Sequence, residues 1–377
     1  MADFQSLSNP TRALISLDAW RHNLARLKAA APTSKMMAVI KANAYGHGAV
    51  RAARALDDAD AFGVARLGEA IELRESGVAQ PIVLMEGVFS GEELSLAMDH
   101  QLDLVVHAEY QVDLLEQYEL LRLSKNIAPV PRVVWVKLDT GMSRLGLQLG
   151  QAAEATKRLR ALSLVGELRL MTHFACADEP DSPMTREQVH RFESELRAVA
   201  LQGFEPSATG LANSAGILSW PSTHREWVRA GIALYGGSPI AGCTAESLGL
   251  KPVMTLSTEV IALRSIESGV SVGYGATWRA GRASRIATLA VGYADGIPRH
   301  LPSGSPVLIA GRRVPIVGRV SMDMITVDVT DLPEVTIGSP AVMWGEGLPV
   351  DEIAAAAGTI SYELLCGVTR RVAFDYV

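Results

Sequence analysis

Five short segments carry the residue types from which a reactive site could be built. AVIKANAYGHG places Lys41 behind an apolar run, and KLDTGMSRLG supplies Lys137, Asp139 and Arg144. MTHFACADE supplies His173, GLANSAG supplies Asn213 and Ser214, and WVRAGIALYG supplies Arg229, Gly231 and Tyr235. Lysine amines form covalent bonds with carbonyl groups. Arginine forks suit carboxylates and phosphates, and glycine-rich backbone with serine hydroxyls suits a phosphate. Each piece has a plainer reading. A lysine ending an apolar strand ordinarily snorkels to solvent, and His173 reads equally as a hydrogen-bonded wall residue. Asn213 and Ser214 read equally as a helix cap. Arg229 could pair with a carboxylate, and Lys137 with Asp139. The segments share a position: each stands just after an apolar strand-like run.

The elements that must hold them form a repeating strand-then-helix series. An amphipathic helix near 18–31 carries Leu17, Trp20, Leu24 and Leu27 at helical spacing. Eight apolar strands come next, near 36–42, 61–66, 81–87, 102–107, 132–138, 167–173, 207–212 and 227–234, separated by helices such as 68–76, 92–100, 152–162 and 185–201. Eight buried-type strands alternating with helices predict an α/β fold: an N-terminal (β/α)8 TIM-type barrel, in preference to a doubly wound open sheet. In a barrel the C-terminal strand ends meet at one mouth, where all five segments converge.

After Gly236 the pattern changes to strands near 254–263, 285–292, 307–309, 314–317 and 324–329, then a helix near 350–357 and a last strand near 371–376. The run Ile325, Val327, Val329 alternates with Thr326, Asp328, Thr330, the mark of a half-buried strand. The expected division is a barrel over 1–245 and a mostly-β C-terminal domain over 246–377, with 236–250 as hinge.

Composition excludes several classes. The 35 Lys and Arg against 41 Asp and Glu give a net charge of −6, unlike the basic face of a nucleic-acid or membrane-surface binder. No uncharged apolar run reaches the roughly 18 residues of a spanning helix, and MADFQSLSNPTR lacks a leader pattern. The three cysteines, Cys176, Cys243 and Cys366, form no CxxC pair, so neither disulfides nor a metal is expected, and the cytoplasm is the expected location. GHGAVR and GYGATW each lack the third glycine of a dinucleotide fingerprint.

Taken in order, AVIKANAYGHG, KLDTGMSRLG, THFACADE, LANSAG, VRAGIALYG, VGYGATW, GYADGIPR and VGRVSMDM resemble the motif series of the alanine racemases. That resemblance covers nearly the whole chain from about Arg12. It implies a pyridoxal 5'-phosphate (PLP) enzyme that interconverts L- and D-alanine and works as a homodimer with shared sites. Lys41 would hold the cofactor covalently. Tyr45, Ser214, Gly231, Ile232 and Tyr362 would surround its phosphate, with Asn213 beside them. Arg229 would bond the pyridine nitrogen. Lys41 and Tyr274, the latter from the partner subunit, would be the two proton carriers, and His173 would bond that tyrosine. Arg144 would contact the cofactor's phenolic oxygen and the substrate carboxylate, oriented by Lys137, which is often carbamylated in the family. Met322 and Tyr293 would contact or gate the substrate, and Asp323 would support them. A fold-related decarboxylase of a basic amino acid and a broader-specificity amino-acid racemase are the alternatives.

Overall fold

The structure is a computed structural model and describes residues 10–377; residues 1–9, which include most of the segment read for a leader, lie outside the described residues. Strands β2 (Lys35–Val39), β3 (Ala61–Val64), β4 (Ile82–Leu84), β5 (Asp103–Val106), β6 (Arg132–Lys137), β7 (Val165–Met171), β8 (Ala208–Gly210) and β9 (Trp227–Ala230) close into a parallel barrel, β9 pairing back onto β2. Each overlaps its expected strand. The side chains alternate: in β2, Met36 and Ala38 pack in the outer core while Met37 belongs to a separate inner cluster.

That inner cluster takes one side chain from every strand: Met37, Ala61, Val83, Val105, Trp135, Met171, Ala208 and Trp227. Two large indoles are accommodated because alanines stand on two of the other strands. Trp135 and Trp227 meet edge to face at 5.8 Å, and Arg169 lies over both rings at 5.3 and 5.0 Å. The barrel centre is therefore a packed plug, and polar chemistry is confined to its ends.

The second domain is built on β10 (Met254–Ile266), a 13-residue strand that serves two ladders; β11 (Ser271–Val272), β12 (Trp278–Arg279), β14 (Pro306–Ile309) and β15 (Arg312–Pro315) also belong to it. Its first half pairs with β17 (Pro340–Trp344). Beyond an irregularity at Val260–Ala262 its second half pairs with β13 (Ser284–Leu289), which in turn pairs with β16 (Ile325–Asp328). The helix Val350–Ala357 forms as expected, and Ser361–Cys366 adds a second.

Strand β1 (Arg12–Ile15) lies in the second sheet, antiparallel to β10 and parallel to β18 (Ala373–Tyr376). The described residues thus run from the second sheet into the barrel and back again. The helix Leu17–Ala30 then ties the two units: buried Asn23 donates to Leu234 O and Lys251 O and accepts from Lys251 N.

Candidate active site

At the C-terminal ends of the barrel strands lies a cavity of about 480 Å³. Lys41, Tyr45, Lys137, Arg144, His173, Asn213, Ser214, Arg229, Gly231 and Tyr362 all line it. Ile232 is fully buried next to Gly231. Tyr274, Tyr293, Met322 and Asp323 do not line it. They sit on the second domain, with Tyr274 70% exposed and Met322 52% exposed.

The segment after β2 departs from every ordinary element. Ala42, Asn43, Ala44 and Tyr45 all have φ between 51° and 53°, a left-handed turn of L-residues that costs roughly 1–2 kcal/mol each. The turn points Lys41 to the mouth and folds Tyr45 inward. Tyr45 stacks on buried Tyr235 at 4.4 Å and meets Tyr362 at 5.7 Å. Tyr235 is fixed in turn by its bond to Val39 O at 2.9 Å. Burial holds the phenols of Tyr45 and Tyr362 protonated, that of Tyr362 pushed up to about 12. Both are donors at neutral pH.

Beside Tyr45, Ser214 Oγ accepts the amides of Gly231 at 2.8 Å and Ala233 at 3.4 Å. Asn213 is the cap of the short helix Ser214–Ser219, its Oδ1 taking Gly216 N at 2.9 Å. The plainer reading of Asn213 therefore holds locally, although the residue also lines the cavity. A Cβ on Gly231 would stand 2.9 Å from Tyr45 Oη, so the glycine keeps a small hydroxyl-lined cup open.

Arg229 has no carboxylate partner among the described residues. Its guanidinium is buried against three carbonyls, Gly210 O at 2.9 Å, Thr172 O at 2.6 Å and Leu211 O at 3.0 Å. Burial lowers its pKa to about 10, so it stays charged at neutral pH. Among the described residues Lys137 likewise forms no ion pair; Asp139 accepts Gly141 N and Ser143 N. Burial first, then Arg229, Arg144 and Lys41, holds Lys137 at about 8. Burial and those same cations push His173 well below its usual range, so its imidazole is neutral.

Arg144 stands on the loop after β6, which folds back through Asp139 N to Leu147 O and Leu147 N to Lys137 O. Gln188, fully buried on the helix Met184–Leu201, joins this loop to the His173 loop. It donates to Thr140 Oγ1 and His173 O and accepts from Ala175 N. Six wall residues lie outside the set expected from sequence: Val39, Ala42, Met85, Glu86, Leu145 and Cys366. The strand-end rule applied to β4 points to Met85 and Glu86. Nothing local points to Cys366, whose helix comes from the other domain.

The set fits PLP. Among the described residues, an exposed amine without an ion pair, a buried guanidinium without a carboxylate partner, and a hydroxyl cup kept open by glycine match an aldehyde, a ring nitrogen and a phosphate respectively.

Comparison with known proteins agrees over both domains. A family model described as "Alanine racemase, N-terminal domain" matches residues 15–239, and one described as "Alanine racemase, C-terminal domain" matches residues 253–376. An alanine racemase from Azoarcus sp. is 49% identical over 368 residues, covering 97% of this chain and 99% of that protein. One from Shewanella sediminis is 48% identical over 367 residues, covering 96% and 98%. The crystal structure of a biosynthetic alanine racemase from Pseudomonas aeruginosa has a TM-score of 0.90 at 46% identity, covering 98% of this chain and 100% of that one. The structure of alanine racemase from Acinetobacter baumannii has 0.89 at 40%, with the same coverage. Two domain matches in order and near-complete coverage at these identities establish that this chain, an isomerase, belongs to the alanine racemase family.

Proposed function

We propose that the chain racemises alanine with PLP bound in the barrel mouth, and that each working site is completed by a second copy of the chain. Racemisation removes the Cα proton on one face of the substrate and returns one on the other, so two proton carriers are required. The observation that carries the reading is the separation of Lys41 from Tyr274. The cavity holds the amine, while the tyrosine of GYGATW stands 70% exposed on the other domain of the same chain. The cavity's own phenols do not replace it, because burial keeps Tyr45 and Tyr362 protonated. A homodimer that brings Tyr274 of the partner subunit opposite Lys41 supplies the second carrier.

Bound PLP supplies an electron sink that weakens the bond between Cα and hydrogen. Lys41 anchors it and moves the proton on one face. Tyr45, Ser214 and Gly231 would form the cup for its phosphate, with Ile232 and Tyr362 beside them. Arg229 would donate to the pyridine nitrogen and, being charged at neutral pH, would leave that nitrogen without a proton of its own. Arg144 takes the substrate carboxylate, oriented by Lys137, whose lowered pKa suits reaction of the neutral amine with carbon dioxide. His173, neutral, bonds the partner's Tyr274. Met322, Tyr293 and Asp323 belong to the partner's side of the entrance. The cytoplasm is the location this reading favours, and the product would serve either peptidoglycan synthesis or alanine catabolism.

Purified protein with PLP and L-alanine should reach equal enantiomers by chiral chromatography. A persistent L-excess with cofactor bound refutes the reading. Carbon dioxide released from lysine or ornithine would favour the decarboxylase instead, and faster turnover of other amino acids the broad-specificity racemase.

A further inference from the structure

A single carboxylate grips the segment that carries Lys41 from outside. The run Ala42–Tyr45 lies at φ near +52° in four successive L-residues, a conformation that persists only where its surroundings impose it. Some restraints are local. Gly46 N donates to Ala42 O, Gly48 N to Asn43 O, and Asn43 Oδ1 accepts Ala49 N at 2.8 Å. Glu69 is different. Its Oε2 accepts the amides of Ala65 at 2.9 Å and Arg66 at 3.0 Å, while its Oε1 accepts the amide of Ala42 at 2.6 Å.

The bond to Arg66 N is the one that a glutamate in the first turn of the helix Leu67–Glu75 ordinarily makes to the residue opening that helix. The bond to Ala42 N caps no part of that helix. It reaches 27 residues back to the peptide next to the amine. The Lys41 ammonium has no ion pair or hydrogen bond among the described residues, so the direction of its long side chain is set by the backbone beneath it. We propose that Glu69 is the positioning residue for Lys41. It joins the end of β3 to the left-handed turn and thereby fixes where the amine stands. This inference rests on the reading of Lys41 as cofactor anchor and proton carrier.

The test compares full-length wild type with Glu69→Ala and Glu69→Gln, with and without added PLP. Hydrogen exchange of cofactor-free protein should quicken in the peptide spanning 40–48 in both variants, with the rest of the barrel unchanged beyond the start of the helix Leu67–Glu75. With PLP, kcat should fall on the order of 10- to 100-fold while KM for alanine moves far less, as expected for a displaced reacting group. The pH midpoint of the cofactor's visible band should shift with it.

Wild-type exchange over 40–48 together with wild-type kcat in Glu69→Ala overturns the proposal and leaves Glu69 a helix cap only. So does a loss explained by unfolding, seen as exchange rising through the whole barrel in both variants. If Glu69→Ala fails to fold, the same readings on Glu69→Gln decide, since an amide presents one acceptor where the carboxylate presents two. If wild type itself fails to racemise alanine, the functional reading falls, while the exchange measurement still shows whether Glu69 holds the turn.

Discussion

The phenolic oxygen of Tyr45 lies 2.9 Å from where a Cβ on Gly231 would stand, and Ser214 Oγ lies 3.7 Å from the same point. Tyr45 cannot retreat, because it is stacked on Tyr235, whose hydroxyl is itself bonded to Val39 O. Gly231→Ala should therefore close the phosphate cup without disturbing the barrel strands. The expected result is PLP affinity reduced by at least about tenfold, some 1.4 kcal/mol. Titration of cofactor-free protein by absorbance measures it, and undiminished affinity would mean that the cup lies elsewhere.

Lys137 makes a pH-dependent prediction. Its folded pKa of about 8 lies below that of a free lysine, so its neutral form is populated as pH rises from 7 to 9, where an exposed lysine remains almost fully charged. Only a neutral amine captures carbon dioxide, and the resulting anion would stand among Arg229, Arg144 and Lys41. With 13C-bicarbonate at pH 8.5, NMR should show a carbamate that is absent from Lys137→Ala and diminishes at pH 6. A spectrum identical in wild type and variant rejects the assignment.

At the opposite end of the barrel, Asp103 is a buried carboxylate whose one side-chain hydrogen bond accepts Val133 N at 3.3 Å. Burial, only partly offset by that bond and by Arg132, Arg169 and Arg74, raises its pKa to about 6. A carboxylate raised on folding stabilises the fold when protonated. That contribution is complete below the unfolded pKa of about 3.9 and is lost as pH rises through the folded value. Asp103→Asn keeps the acceptor and removes the charge. Its melting temperature should exceed that of wild type at pH 8, with the gap narrowing toward pH 4.5. A gap that does not change with pH would show that the carboxyl is not raised, and a reversed trend that the three arginines outweigh burial.

How much of the molecule is legible in the sequence depends on range. Barrel strands and the helix Val350–Ala357 are legible because apolar periodicity is local. Strand β1 is not, since its burial alternates over only four residues and its partners stand at least 239 residues away. Strand β17 escapes as a five-residue run opened by proline. Most cavity-lining residues are legible because they stand just past the C-terminal end of a barrel strand, where the fold itself directs them to the mouth. The left-handed turn escapes, because of its four residues only Asn43 favours that conformation, while Ala42, Ala44 and Tyr45 owe it to their surroundings. Arg229 illustrates the converse: sequence leaves open a carboxylate partner, and the fold supplies carbonyls instead.

Shared sites can be tested by mixing two inactive proteins. Lys41→Ala removes the amine and Tyr274→Phe removes the phenol. If each site takes Lys41 from one subunit and Tyr274 from the other, a mixed dimer contains one site with both groups intact and one with neither. Random exchange of equal amounts makes half the dimers mixed, so about a quarter of wild-type racemisation should return. Each parent alone should fail to racemise alanine in either direction, because a single carrier returns the proton only to the face it came from. The mixture must be unfolded and refolded together, or incubated until subunits exchange, with size-exclusion chromatography confirming dimers. If both groups belonged to the same chain, each mixed site would still lack one of them and no activity would return. That outcome would require Tyr274, exposed as it is on the second domain, to reach the cavity within its own subunit.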